Sequence, residues 1–143
     1  MRDAVCAAAR AGDMERLEQL VHDGNSIHHV RWSGVSALHR ACEGGHLESI
    51  KFLIAQGADV NARAAWGWYA PLHMAARYGH EAAILLLLDA GANWSQPDKY
   101  RATPHKYAVR AGHATMAHRI DAVVTARTKT SAKANDKKGH TNT

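Results

Sequence analysis

The feature that most constrains the fold is a period of 33 to 34 residues that runs through most of the chain. Glycine–histidine pairs stand at residues 45–46, 79–80 and 112–113. Short motifs at residues 36–39, 70–73 and 103–106 keep the same spacing. Such a period is typical of stacked repeats, because each unit can bury its apolar face only against its neighbours.

Each unit has the pattern of two short helices. Pro71 suits the first turn of a helix, where a backbone N–H has no partner to lose. Gly79 and Gly91 suit the left-handed residues that end two helices. The apolar run from Ile84 to Leu88 suits the buried face of a helix and falls far short of the roughly 20 residues that span a bilayer. The sequence therefore predicts helix–turn–helix units and no membrane segment.

These motifs resemble those of the ankyrin-repeat family. The family pattern, roughly T-P-L-H-x-A-A-x-x-G-H followed by an apolar helix and G-A-D-V-N-A, matches residues 70–80 almost throughout and residues 57–62 at every position. The resemblance covers about residues 1–125. It implies an all-α repeat solenoid, an ankyrin-repeat array of helix–turn–helix units joined by β-hairpin-like loops. The four expected repeats lie at about residues 1–30, 31–60, 61–94 and 95–125, and the first and last are degenerate caps.

The later repeats depart from the family pattern at a few positions. Ala70 stands where the family has a capping threonine, which predicts a weaker helix start. Arg101 replaces the turn glycine of the fourth repeat, and His105 replaces its leucine. Trp94 replaces an apolar valine, so we expect its side chain to be buried.

The positive charge of the chain is concentrated at its end. The net charge is +5, of which residues 1–124 carry +1 and residues 125–143 carry +4. The last segment is rich in Thr, Ser, Lys, Asn and Gly and has little to bury, which predicts a disordered basic tail over residues 126–143. Any order beyond about Arg127 would be an extension of the last helix.

The sequence contains no motif for catalysis or for a cofactor. It has no nucleotide-binding glycine loop, no G-x-S-x-G and no H-E-x-x-H. Cys6 and Cys42 fall at helical core positions and form no metal spacing or disulfide framework. Five of the eleven histidines occupy family positions that imply structural roles, namely His39, His46, His73, His80 and His113. We therefore expect no enzyme, no cofactor and no metal, in a cytoplasmic or nuclear protein with reduced thiols.

The residues that the repeat pattern leaves free are aromatic and basic. In ankyrin proteins the loop tips and the exposed side of each first helix line a concave groove that binds partners. The resemblance implies this role for Trp32, Arg40, Trp66, Trp68, Tyr69, Met74, Arg77, Tyr78, Tyr100, Tyr107 and Arg110. Trp, Tyr and Arg are the residue types that most often dominate interface energetics. The alternative for Trp66 and Trp68 is that each folds back over the helix starts and covers the core.

The expected function is binding of another protein by a monomeric adaptor, inhibitor or assembly factor. An acidic and apolar segment is the expected ligand, because it complements arginine and aromatic side chains. The alternative is a protein associated with nucleic acid or another acidic polymer, which would use the basic tail with Arg77 and Arg110. Glu43 weakens this alternative, because it interrupts the basic row and is expected to pair with Arg40 or Arg77, whereas a phosphate footprint needs a continuous basic stripe.

Overall fold

The computed structural model describes residues 4–28 and 33–139. Within them the chain forms eight helices and no strand. The helices are α1 (Ala4–Ala11), α2 (Met14–His22), α3 (Ala37–Gly44), α4 (Leu47–Ala55), α5 (Pro71–Arg77), α6 (Glu81–Asp89), α7 (Pro104–Arg110) and α8 (Ala114–Gly139). They follow one another as four helix pairs, so the predicted all-α repeat solenoid is confirmed.

The helix pairs form two layers. The first helices of the pairs, α1, α3, α5 and α7, pack against one another more closely than the second helices do. Small buried side chains allow this close approach, and they include Ala9, Ala41, Cys42, Ala75 and Ala108. The second helices supply the large core residues Leu17, Ile50, Leu53, Ile84, Leu87 and Ile120. The exposed side of this closely packed first-helix layer is the one that the family resemblance identifies with the concave groove.

Two buried histidines join neighbouring repeats. The Nδ1 atom of His39 accepts a hydrogen bond from the Ser36 N–H (3.2 Å), and its Nε2–H donates to the Tyr69 carbonyl (2.9 Å). His73 accepts from the N–H at its own helix start (2.9 Å) and donates to the Ala102 carbonyl (3.0 Å). These two bonds assign a neutral ring with its proton on Nε2. Burial lowers the pKa of His39 to about 4 and also lowers the pKa of His73.

The histidines that precede the second helices pack onto glycines of the preceding repeat. Gly45 has φ +70°, and a Cβ atom added there would lie 2.5 Å from Nδ1 of His80. The His80 Nε2–H donates to the Glu43 carbonyl (3.0 Å), which ties the two repeats together. The same close approach joins the pairs Gly12–His46 and Gly79–His113. All five histidines with predicted structural roles therefore lie between repeats.

A polar cluster takes the place of apolar packing where the third repeat meets the fourth. Trp94 is buried, as predicted, and its Nε1–H donates to Oδ1 of Asp121 (2.7 Å). Nδ1 of His105 lies 2.9 Å from Oδ2 of the same carboxylate. His105 therefore fills the place of the usual leucine by pairing with a charged partner on α8. This arrangement suits an end repeat that has solvent on one side.

Residues 126–139 are helical, whereas the composition of this segment predicted disorder. Val124 stands where the other second helices end in left-handed glycines, at positions 24, 57 and 91. Without such a glycine α8 continues, because adding residues to a formed helix needs no new nucleation. Arg127 also pairs with Asp89 of α6 (2.7 Å), so the extension is tied to the array. None of the helices in the described residues is long and apolar enough to cross a membrane.

Candidate functional site

The loop tips between repeats are linked in a row. The Ala65 N–H donates to the Ser33 carbonyl (2.8 Å), and the Lys99 N–H donates to the Gly67 carbonyl (2.8 Å). Each bond joins one loop to the loop of the next repeat. Side chains at the tips are therefore held on a continuous edge rather than on independent loops.

Three aromatic side chains at this edge face solvent. The exposed fractions are 64% for Trp66, 47% for Trp68 and 76% for Tyr100. The alternative in which the two tryptophans cover the core is therefore wrong. Tyr69 differs, because it is half-buried against the core and meets the ring of His39 edge-on, with 5.5 Å between centroids. Its side chain supports the scaffold more than it offers surface.

Trp68 and Arg101 hold left-handed backbone conformations that favour glycine. Their φ angles are +56° and +66°, close to the +70° of Gly34 at the same place in the second repeat. Such a conformation costs a side-chain-bearing residue roughly 1–2 kcal/mol. A strained residue that also exposes a large side chain is more typical of a functional surface than of a scaffold.

Two other predicted partner contacts are Met74 and Trp32. Met74 is only 9% exposed and belongs to the core of the array, so its prediction as an accessible contact is wrong. The reason is the close packing of α5 between α3 and α7, which leaves little of this side chain to solvent. Trp32 lies outside the described residues.

The groove arginines differ in their partners. Glu43 pairs with Arg10 (3.3 Å) and with Arg40 (2.9 Å), and its side chain is only 14% exposed. Glu43 was expected to pair with Arg40 or Arg77. The pair with Arg40 is confirmed, and the second partner is Arg10 rather than Arg77. Arg77 and Arg110 have no carboxylate partner among the described residues.

Two open pockets of similar size border these arginines. The N-terminal pocket, of about 570 Å³, is lined by Cys6, Ala7, Arg10, Ala11, Ser33, Val35 and Arg40. The C-terminal pocket, of about 540 Å³, is lined by Arg77, Tyr78, Tyr107, Arg110 and Ala111. Each spans two neighbouring repeats on the first-helix side, so both lie in the concave groove.

The walls of the C-terminal pocket are held from behind. The Tyr107 hydroxyl donates to Oδ2 of buried Asp98 (2.6 Å), and its ring packs on His73 with 4.7 Å between centroids. The Arg77 guanidinium lies 5.5 Å from the ring centroid of Tyr78. Arg77 and Arg110 line the same pocket as Tyr107. Burial and the hydrogen bond to Asp98 raise the pKa of Tyr107, while the two arginines act in the opposite direction.

Asp98 is a structural residue of the site that the sequence analysis missed. Its Oδ1 accepts from the N–H groups of Tyr100 (2.8 Å) and Ala102 (2.7 Å), so it shapes the loop that precedes α7. Burial acts to raise the pKa of Asp98, but the hydrogen bonds from Tyr107, Ala102 and Tyr100 outweigh it and lower the pKa. An aspartate two residues before an exposed tyrosine was a weak signal of this turn.

Two kinds of side chain in the described residues could carry chemistry, the metal-ligating side chains and the cysteines. The described residues hold no group of three or more His, Cys, Asp or Glu side chains that could bind a metal ion. Cys42 is buried, and burial raises the pKa of its thiol, which keeps it protonated and unreactive. The arginine and aromatic side chains of the groove and loop tips are therefore the candidate site.

Stretches of 60 to 63 residues of this chain are similar in sequence to parts of known proteins. Potassium channel AKT1 of Arabidopsis thaliana is 40% identical over 63 residues, which are 44% of this chain and 7% of that protein. L-asparaginase of Dirofilaria immitis is 37% identical over 62 residues, 43% of this chain and 10% of that protein. Protein phosphatase 1 regulatory subunit 27 of Mus musculus is 37% identical over 60 residues, 41% of this chain and 39% of that protein.

The matched stretches thus span well under half of each relative, and the three relatives have different activities in their names. The family model described as ankyrin repeats (many copies) matches residues 5–54 and 38–88, which together exceed half of the chain. The chain therefore belongs to the ankyrin-repeat family, whose repeats are protein–protein interaction modules.

Proposed function

We propose that this protein is a non-catalytic module that binds a partner protein through its concave groove and loop tips. The observation that carries the proposal is the exposure of large aromatic side chains there, with Tyr78 43% exposed beside Trp66, Trp68 and Tyr100. Large aromatic side chains that are exposed have no role in the core, and Trp and Tyr are among the residue types that dominate interaction sites. Roles such as adaptor, inhibitor or assembly factor fit a surface of this kind.

The rigidity of the scaffold supports this mechanism. Backbone hydrogen bonds link successive loop tips, and the His39 and His73 rings tie each helix start to the next loop. A surface that is already ordered loses little conformational freedom on binding, which leaves more of the contact energy as affinity. The partner would dock onto a preformed shape.

The nucleic-acid alternative has less support. Arg10 and Arg40 share the carboxylate of Glu43, and on the second-helix side Arg119 and Arg127 pair with Glu81 and Asp89. Of the four groove arginines, only Arg77 and Arg110 lack a carboxylate partner among the described residues, and two cations do not form a continuous stripe. A phosphate backbone needs an extended row of unpaired cations.

A comparison of variants tests the proposal. Tagged protein would be incubated with native lysate as wild type, as Trp66→Ala/Trp68→Ala, and as a matched control, Glu48→Ala/Lys51→Ala, which changes an exposed ion pair on α4 away from the groove. Circular dichroism would establish that all three are folded. We expect a stoichiometric partner on wild type and control that is lost from the tryptophan variant.

Two outcomes would contradict the proposal. One is a partner that binds the tryptophan variant as tightly as wild type, which would move the site off the loop tips. The other is capture that falls steeply with salt and disappears when residues 126–143 are deleted, which would favour the acidic-polymer alternative.

A further inference from the structure

The C-terminal pocket has an electrostatic property that the rest of the groove lacks. Arg10, Glu43, Arg77 and Arg110 occupy the same position in four successive repeats, two residues before each Gly-Asp or Gly-His pair. In the first two repeats the acid and the bases of this row cancel, because Glu43 pairs with Arg10. In the last two repeats the row holds two cations without a carboxylate partner among the described residues.

These two cations flank an aromatic wall that does not move freely. Tyr107 is fixed by its hydrogen bond to Asp98 and by its contact with His73. Arg77 is placed over the Tyr78 ring by a cation–π contact. The pocket therefore presents two guanidinium groups and two aromatic surfaces in a preformed arrangement that suits an anion with an apolar neighbour.

The helix ends favour a carboxylate over a phosphate. Arg77 is the last residue of α5 and Arg110 the last residue of α7. Helix C-termini present carbonyl oxygens and a partial negative charge, whereas phosphate groups are usually bound at helix N-termini. A phosphate would lack the N–H donors of a helix N-terminus at this pocket, whereas a carboxylate can be bound by the two guanidinium groups alone.

We infer that the C-terminal pocket receives one aspartate or glutamate side chain from a segment of the partner protein, with the carboxylate between Arg77 and Arg110. An apolar residue next to that acid would pack against Tyr78. This inference rests on the proposed function and specifies the chemistry of the partner. The N-terminal pocket would take no such side chain, because its arginines, Arg10 and Arg40, already form ion pairs with Glu43.

A peptide selection tests the inference with a defined probe. A phage-displayed library of random eight-residue peptides would be selected on wild type, on Arg77→Gln/Arg110→Gln, and on Arg119→Gln/Arg127→Gln as the matched control on the second-helix side. We expect wild type and control to select peptides with an Asp or Glu at one fixed place. The double variant should lose that preference.

Synthetic versions of a selected peptide give the size of the effect. Replacing its acid by the amide should weaken binding to wild type roughly 10- to 100-fold, as for loss of a charge-assisted hydrogen bond. On Arg77→Gln/Arg110→Gln the same replacement should have almost no effect. An amide penalty that is equally large on the double variant, or a library that yields no acidic preference, would overturn the inference.

Two further results separate the possible failures. A phosphoserine peptide that binds wild type more tightly than the glutamate peptide would overturn the choice of carboxylate. Selected peptides that lack an acid but lose binding in Trp66→Ala/Trp68→Ala would overturn the acidic-residue inference and leave the proposed groove function standing.

Discussion

The two pockets of the groove are built from the same repeat but offer different surfaces. Arg10 at the N-terminal pocket and Arg110 at the C-terminal pocket hold equivalent positions, yet only Arg10 has a carboxylate partner among the described residues. That partner is Glu43, which also holds Arg40. This one acidic residue therefore pairs with both arginines of the N-terminal pocket, whereas Arg77 and Arg110 of the C-terminal pocket have no carboxylate partner among the described residues.

The comparison shows how a repeat scaffold separates stability from recognition. The buried histidine at the helix start occurs in both inner repeats and does the same structural work in each. The position two residues before the Gly-His pair varies in charge without altering the helix that carries it. Side chains on the concave face can therefore change the ligand, while the inter-repeat contacts stay the same.

Acidification should destabilise both halves of the groove and so remove the difference between them, because both halves depend on the histidines between repeats. A folded-state pKa of about 4 for His39 means that only the unfolded chain takes up a proton between pH of about 6.5 and 4. The stabilisation is therefore complete above pH of about 6.5, and roughly 3 kcal/mol is lost as the pH falls to about 4. His73 should add a loss in the same direction.

Urea unfolding at a series of pH values checks this prediction. The free energy of unfolding should fall between neutral pH and pH of about 4. Replacing His39 by Gln should lower the stability at neutral pH and flatten this dependence. A wild-type free energy that is unchanged over the same range would contradict the assignment of the histidines.

His73→Ala should damage the C-terminal half selectively. The change removes the bonds to Ala70 and Ala102 and the surface behind Tyr107, and it leaves buried polar groups without partners. We expect a loss of roughly 2–3 kcal/mol in the free energy of unfolding. Lys106→Ala, at the same position of the fourth repeat, is exposed and should change it by less than about 0.5 kcal/mol. Thermal and urea unfolding of both variants would measure the difference; equal losses would argue against the histidine contacts.

Tyr107→Phe tests how much one wall of the C-terminal pocket contributes, because it removes a contact that holds this wall and leaves the charges of Arg77 and Arg110 in place. The hydroxyl bond to Asp98 would be lost, while the ring contact with His73 remains. We expect a loss of about 1 kcal/mol in the free energy of unfolding. The selected acidic peptide should also bind less tightly, because the pocket is less ordered. Calorimetry would detect both changes, and an unchanged affinity would show that this wall does not contribute to binding.

Glu43→Gln should make the two halves of the groove alike. The substitution frees Arg10 and Arg40 at a small cost, about 0.5–1 kcal/mol in the free energy of unfolding, because both arginines are partly exposed and screened. The N-terminal pocket should then bind acidic peptides, which calorimetry would detect as a second site. The site should vanish on adding Arg10→Gln. A variant that binds a single peptide would show that the N-terminal pocket has the wrong shape for it.

Much of the fold could be predicted because its signals are local and repeated. The proline and glycine positions around α5 and α6 indicated where these helices begin and end, and the motif histidines were expected to have structural roles, which the structure places between repeats. The prediction failed for α8, where composition was used to judge residues 126–139. A better guide was that position 124 is Val124 and not a glycine, since a helix continues until a residue stops it.

The site was predicted less completely. Trp66, Trp68 and Tyr100 are exposed, as their loop positions suggested, whereas Met74 is buried because α5 has a helix packed on each side. Solvent exposure of a first-helix side chain depends on the spacing between repeats. That spacing cannot be read from one repeat alone.

The sequence by itself determined the repeat, the helix pairs and the placement of arginine and aromatic residues on one side. These features follow from a pattern that is completed within about 34 residues and then recurs. Only the tertiary structure decided that Glu43 joins Arg10 rather than Arg77, that Asp98 holds Tyr107, and that Arg77 and Arg110 have no carboxylate partner among the described residues. The reason is physical: an ion pair forms where side chains from different repeats come within a few ångströms, and the stacking angle sets that distance.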